Sequence, residues 1–332
     1  MNRVTITSVG LAVLVSVSLV TPAFAVVNID YVSIGNVGNA ADPATGSLYG
    51  AVGYAYQIAK NETTISQYAE FLNHAAKSDP YALYSTNMSS TGRFSISAGI
   101  DRSGSSGNYF YSEVAGSGNK PVTFVNWFDA ARFCNWLHNG QGSGSTETGA
   151  YTLDGAMSGI YTRNAGASVW IPSENEWYKA AYYDATKGGT GGYWLYPTRS
   201  DAMAGNTIGV AHSANYYDGD YVGSGTSSLP SGNGLTDGGA YGANSASFYG
   251  TNDQGGNVWE WNDAVVSGTE RGVRGGNLGF YDDYLISTFR ATAEPSASGN
   301  FDVGFRLASV PEPSCLILTL LVSGVLVTRR KR

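Results

Sequence analysis

Two cysteines occur in 332 residues, Cys134 and Cys315, too few for a disulfide framework. Basic residues are also scarce: 19 Lys and Arg stand against 26 Asp and Glu, for a net charge of −7. That excludes the basic stripe of a nucleic-acid surface. The three histidines, His74, His138 and His212, are too scattered to suggest a metal triad. No Ser/His/Asp set follows a nucleophile-elbow sequence. The Gly-rich stretches lack the Gly-Lys-Ser/Thr end of a phosphate loop. No internal repeat and no linker interrupts residues 26–309.

Glycine and aromatic residues are plentiful. With 44 Gly and 13% aromatic residues, the chain reads as loop-rich and globular with aromatic anchors, not as disordered. Both ends read as targeting segments. Arg3, the apolar run Ile6 to Val20 and Ala23-Phe24-Ala25 make a secretory signal peptide over residues 1–25. At the other end Pro311-Glu312-Pro313 precedes an apolar run, Cys315 to Val327, and then Arg329-Arg330-Lys331-Arg332. This order resembles the PEP-CTERM sorting signal of bacterial exported proteins. The resemblance implies a tail over 310–332 with a short membrane helix, removed by an exosortase-type protease. The domain between, 26–309, would reach the cell surface, the envelope or the exterior. Cys315 would leave with the tail, and Cys134 would stay as a buried structural thiol.

Three helices are legible from their caps. Thr64 with Gln67 forms a capping-box pair before Ile65, Tyr68, Leu72 and Ala75, which recur at helical spacing. Asn126 precedes a second helix with Trp127, Ala130, Ala131, Cys134 and Leu137 on one face. Ser173 and Glu176 box the third, with Trp177, Ala180 and Ala181 inward. Short strands are expected within 26–34, 121–125, 169–172, 271–277, 287–291 and 302–308. Residues 186–250 form a long irregular segment, of the kind that is functional or pinned by an ion.

The stretch Thr251 to Trp261, T-N-D-Q-G-G-N-V-W-E-W, organises the chain. Alternation puts Trp259 and Trp261 on one strand face and Glu260 on the other. Gly255-Gly256 provides backbone freedom just before it. Asp253 and Glu260, with the Gly256 and Val258 carbonyls, offer all-oxygen ligands of the kind Ca²⁺ takes. On the residues alone, a solvated turn explains the same pattern.

Several runs recur together. They are V-N-W-F-D-A-A-R-F-C-N-W-L (125–137), I-P-S-E-N-E-W-Y-K-A-A (171–181), G-N-V-W-E-W (256–261), V-R-G-G-N (273–277) and G-F-R-L-A (304–308). Residues 56–73 add a matching N-terminal run. The chain thereby resembles the formylglycine-generating enzyme, or sulfatase-modifying factor, domain. The resemblance implies a single compact, loop-rich α+β domain with a C-type-lectin-like core. It also implies a Ca²⁺ site on Asp253, Gly256, Val258 and Glu260. Active members bind copper through two cysteines, whose positions fall here on Phe280 and Leu285. Copper is therefore not expected, and no catalytic or organic-cofactor residue is assigned. Asp282 and Asp283 read as a solvated turn, and Arg290 and Arg306 as buried guanidinium groups bridging loop carbonyls. The function expected is an exported, non-catalytic binding or structural module with a protein or glycan ligand. An enzyme with altered chemistry in the same cleft is the alternative.

Overall fold

The computed structural model describes residues 26–311, apart from 91–96, 204, 223, 231–233 and 297–299. The expected signal peptide and nearly all of the C-terminal tail lie outside the described residues. No helix among the described residues is long and apolar enough to cross a membrane.

One four-stranded sheet joins the two ends of the domain. Strands β1 (Tyr31–Ile34), β2 (Tyr56–Ala59), β12 (Ala308–Ser309) and β5 (Val169–Trp170) lie in that order, all antiparallel. The second sheet is ordered β10 (Ala291–Ala293), β9 (Glu270–Arg274), β8 (Trp259–Ser267) and β11 (Val303–Gly304). There β11 runs parallel to β8 and the other neighbours are antiparallel. Two small hairpins complete the strands: β3 (Ile100–Ser103) with β4 (Phe110–Glu113), and β6 (Tyr183–Asp184) with β7 (Gly192–Tyr193).

The helices start where their caps dictate. Helix α1 (Ile65–Ala75) begins after Thr64, whose hydroxyl accepts from the Gln67 amide while the Gln67 side chain accepts from the Thr64 amide. Helix α2 (Trp127–His138) is capped by Asn126 with Asp129, and α3 (Glu174–Tyr182) by Ser173 with Glu176. The reciprocal bonds satisfy two of the amides that a helix start leaves unpaired.

Helix α2 departs from the one-faced expectation. Every residue from Trp127 to Trp136 is buried. A helix apolar on most sides belongs inside the core, and its polar residues carry their own partners. Arg132 pairs with Glu147 at 2.8 Å, and Asn135 bonds the Tyr151 amide and the Thr146 carbonyl. Phe133 then meets Phe71 of α1 edge-on at 5.3 Å and Phe305 at 5.6 Å, so α2 ties α1 to the segment entering β12.

Two strand expectations fail. Residues 121–125 make only an isolated bridge, Thr64 to Pro121, because Phe124 turns into left-handed backbone at φ 59°. Ser287–Phe289 is likewise irregular, since its carbonyls serve Arg274, and pairing with β9 begins only at Ala291. The stretch 186–250 is irregular as expected, with β7 and two isolated bridges internal to it.

Candidate functional site

Strand β8 sorts its side chains as the alternation requires. Trp259 and Trp261 enter the main core, and the Trp261 indole donates to the Val125 carbonyl at 3.0 Å. Glu260 faces the other way and is completely buried. Its Oε2 accepts from Arg306 Nε at 2.6 Å and from the Trp177 indole at 2.7 Å, and its Oε1 accepts from Arg306 Nη2 at 2.7 Å. Arg306 donates further to the carbonyls of Ala59, Lys60 and Asn252. Burial works against its charge, but Glu260 and the other carboxylates around it outweigh that and hold its pKa above the usual value. One side chain thus joins β8, the end of β2 and the approach to β12, while Trp177 brings in α3.

Beside this pair lies a polar cluster. Asp253 sits at φ 56° and its Oδ2 accepts from the Gly239 amide at 2.6 Å. Gly256 has φ 78°, and a side chain there would run into the Asn215 carbonyl. Val258 is buried against Leu235 and Leu278. Asn257 donates to Glu62 Oε1 at 3.1 Å and accepts from Asn215 at 3.0 Å. The other oxygen of Glu62 and Oδ1 of Asn215 are buried without a partner. Burial, reinforced by Asp253, pushes the Glu62 carboxyl well above the usual range, and burial raises Asp253 to about 6.

Calcium wants about six to eight oxygens converging on one point. Asp253 and Glu260 are close enough to influence each other's charge. Glu260, however, turns both oxygens to the Arg306 guanidinium. That cation and the Trp177 indole take three of the roughly four lone-pair positions of the carboxylate, so an ion using Glu260 would have to compete with them. As paired here, the set Asp253, Gly256, Val258 and Glu260 does not fit calcium. No group of three or more His, Cys, Asp or Glu side chains that could hold a metal occurs among the described residues.

The Gly275-Gly276-Asn277 turn after β9 leads to the positions where active relatives are expected to carry cysteines. Asn277 donates to Asp302 at 2.6 Å and accepts from the Gly279 amide. Leu285 is fully buried with Tyr196, Ala214 and Tyr216. Phe280 is partly exposed, 4.6 Å from the Tyr284 ring and 6.0 Å from Trp259. The remaining thiol, Cys134, is buried in α2, and burial drives its pKa up, which makes it unreactive.

The model of the sulfatase-modifying factor enzyme 1-like domain matches residues 44–310. The chain belongs to this sulfatase-modifying factor family. The α+β architecture is that family's, in a single compact domain. Among solved structures, similarity extends to Treponema denticola variable protein 1 at 20% identity and TM-score 0.49, covering 87% of this chain and 98% of that one. CarF aligns at 22% identity and TM-score 0.47, covering 86% and 99%. PvdO from Pseudomonas aeruginosa aligns at 16% identity and TM-score 0.44, covering 78% and 82%. No curated protein matches the sequence.

Other candidate residues of this sulfatase-modifying factor domain stay apart. His138 bonds Ser168, His74 pairs with Glu70, and His212 bonds the Thr198 carbonyl. Asp282 accepts from the Tyr196 hydroxyl at 2.9 Å, whereas Asp283 is exposed. Arg306 bridges loop carbonyls as its sequence context suggests. Arg290 does not: its fork grips Glu174 at 2.9 and 2.7 Å. Glu174 also receives Arg274 at 2.8 Å and was invisible as a hub, because it sits inside a capping sequence that explains it already. Glu62 was missed too. Its only signal is a charged residue wedged before a helix cap, in Asn61-Glu62-Thr63-Thr64.

Proposed function

We propose that this sulfatase-modifying factor domain is a non-catalytic binding module exported to the cell surface or beyond. One observation carries the reading. The positions expected to bear the copper thiolates hold Phe280 and Leu285, and Cys134 is the sole cysteine between residues 26 and 313. Soft Cu(I) selects sulfur ligands, and neither a phenyl ring nor an isobutyl group can bind it or exchange with a disulfide. Leu285 instead fills a small apolar cluster, and Phe280 stacks in an aromatic group. Export rests on the N-terminal signal sequence and the Pro-Glu-Pro tail. The tail would pass through the membrane until an exosortase-type protease removes it.

The test is incubation of the purified domain with copper and a cysteine peptide of the sulfatase type, followed by mass spectrometry of the peptide. The cysteine is expected to stay unconverted. Formylglycine above the blank without protein would end the reading and favour an enzyme of altered chemistry.

A further inference from the structure

Two loops meet beside β8 and bring their aromatic rings together. The Tyr217 amide donates to the Phe280 carbonyl at 2.9 Å, which locks the loops side by side. Tyr217 lies 4.8 Å from Tyr221 and 5.2 Å from Tyr281. Phe280 continues the row to Tyr284 and Trp259, at 4.6 and 6.0 Å. Trp259 is the buried floor, whereas Phe280 is 37% and Tyr281 58% exposed. Carboxylates flank the rings: Asp218 and Asp283 are exposed, and Asp282 is half-buried. Asp218 follows Tyr217 directly in sequence, and Asp282 and Asp283 follow Tyr281, so each loop carries its carboxylates next to its own ring.

Positive charge is missing from the stretch that carries the first loop. Residues 200–270 contain eight Asp and Glu and neither Lys nor Arg. Arg290, next in sequence to Phe289, is spent on Glu174. Among the described residues, the cation–ring contacts fall on other rings, such as Tyr84, Trp170 and Trp194. Some rings elsewhere are thus covered by the protein's own guanidinium and ammonium groups, and among the described residues no ring of this strip is.

We propose that this strip is the ligand surface of the module and that its ligand is an extended, arginine- or lysine-bearing segment of a partner protein. The inference rests on the binding-module reading and names its surface and its partner chemistry. Guanidinium groups stack on tyrosine faces and fork onto carboxylates, so one partner side chain can use both features together. A ring row with carboxylates alongside suits an extended strand carrying several such side chains. Phosphate- or carboxylate-rich ligands are disfavoured by the acidic flank.

The probe is a fluorescein-labelled Arg-Gly-Arg-Gly-Arg peptide, titrated with the mature domain and followed by anisotropy at low ionic strength. Binding is expected, with weakening as salt rises. Tyr281→Ala is expected to weaken it about two- to fivefold, the cost of one exposed cation–ring contact. The pair Asp218→Asn with Asp283→Asn weakens it further. Phe110→Ala, at an exposed ring on β4, leaves it unchanged. Melting curves confirm that each variant folds; Tyr281, Asp218 and Asp283 are exposed, so their loss leaves the core intact. Equal binding of a Glu-Gly-Glu-Gly-Glu peptide, no effect of the strip variants, or no binding at all would overturn the proposal. So would a neutral glycan whose binding Tyr281→Ala abolishes. Those results leave the non-catalytic reading standing, because that reading falls only with formylglycine formation.

Discussion

Replacing Glu260 by Gln removes one charge and almost no volume. Three donors lose a carboxylate: Arg306 through Nε and Nη2, and the Trp177 indole. The amide keeps one acceptor oxygen and turns an NH₂ toward a guanidinium N–H, donor against donor. Arg306 retains its bonds to the Ala59, Lys60 and Asn252 carbonyls, but its charge is then buried without a partner. Breaking such a fully buried pair costs about 3–5 kcal/mol, a large share of the roughly 5–15 kcal/mol that holds a domain folded. Urea denaturation of the wild type, Glu260→Gln, Arg306→Met and the double variant closes a thermodynamic cycle. The double variant is expected to lose less than the sum of the singles by on the order of 1–3 kcal/mol. A chelator is expected to leave the wild-type melting temperature unchanged, because Arg306 already pairs with both oxygens of Glu260. A Glu260→Gln cost below about 1 kcal/mol, well short of the buried-pair range, or additive singles would refute the reasoning. So would a wild type that chelator destabilises beside a Glu260→Gln protein that it leaves alone. That last pattern would restore Glu260 as a calcium ligand.

Stability is also expected to fall as pH rises from about 4, the ordinary carboxylate pKa, toward 7. Burial raises Asp253 and Asp302 to about 6 and Asp263 to about 7, so the folded protein holds protons there that the unfolded chain has released. The slope of unfolding free energy with pH is then negative in that window. Asp101 and Glu147 are shifted down and act below about pH 4, where protonation removes their contribution. Urea midpoints measured across this range check the sign, and a midpoint that climbs from pH 4.5 to 7 would contradict it. For export, intact-mass analysis of the protein recovered from the cell surface is expected to show neither residues 1–25 nor the apolar tail after Pro313. A mass that retains residues 314–332 would reject exosortase-type processing.

The elements legible in the sequence are those with local causes. Thr64, Asn126 and Ser173 each bond a backbone amide three residues on, so their helices could be placed almost to the residue. The Trp259–Trp261 alternation was legible for the same reason. Strand pairing at 121–125 was not, since the turn at Phe124 answers to what lies across from it: its amide donates to the Asn300 carbonyl. The site shows the same divide. Asp253 and Glu260 stand out near a Gly-Gly turn, but the partner that decides Glu260's role, Arg306, lies 46 residues downstream. Glu62 approaches the cluster from the far end of the chain. The aromatic strip was equally hidden, because Tyr217 and Tyr281 become neighbours only when their loops close.

Strand β12 has a consequence for when this protein can fold. Its two residues lie in the interior of the first sheet, with Ala308 opposite both Ile58 and Trp170. Without them, β2 and β5 have no common neighbour in that sheet. Contacts between such distant segments form late, because a long loop must close before they repay it. A ribosome-bound chain therefore lacks the keystone of its own sheet until Ala308 and Ser309 have been made. During that interval β2 and β5 lack the strand that joins them. The sheet closes only when Ala308 and Ser309 slide between two strands made long before them, at Ile58 and at Trp170.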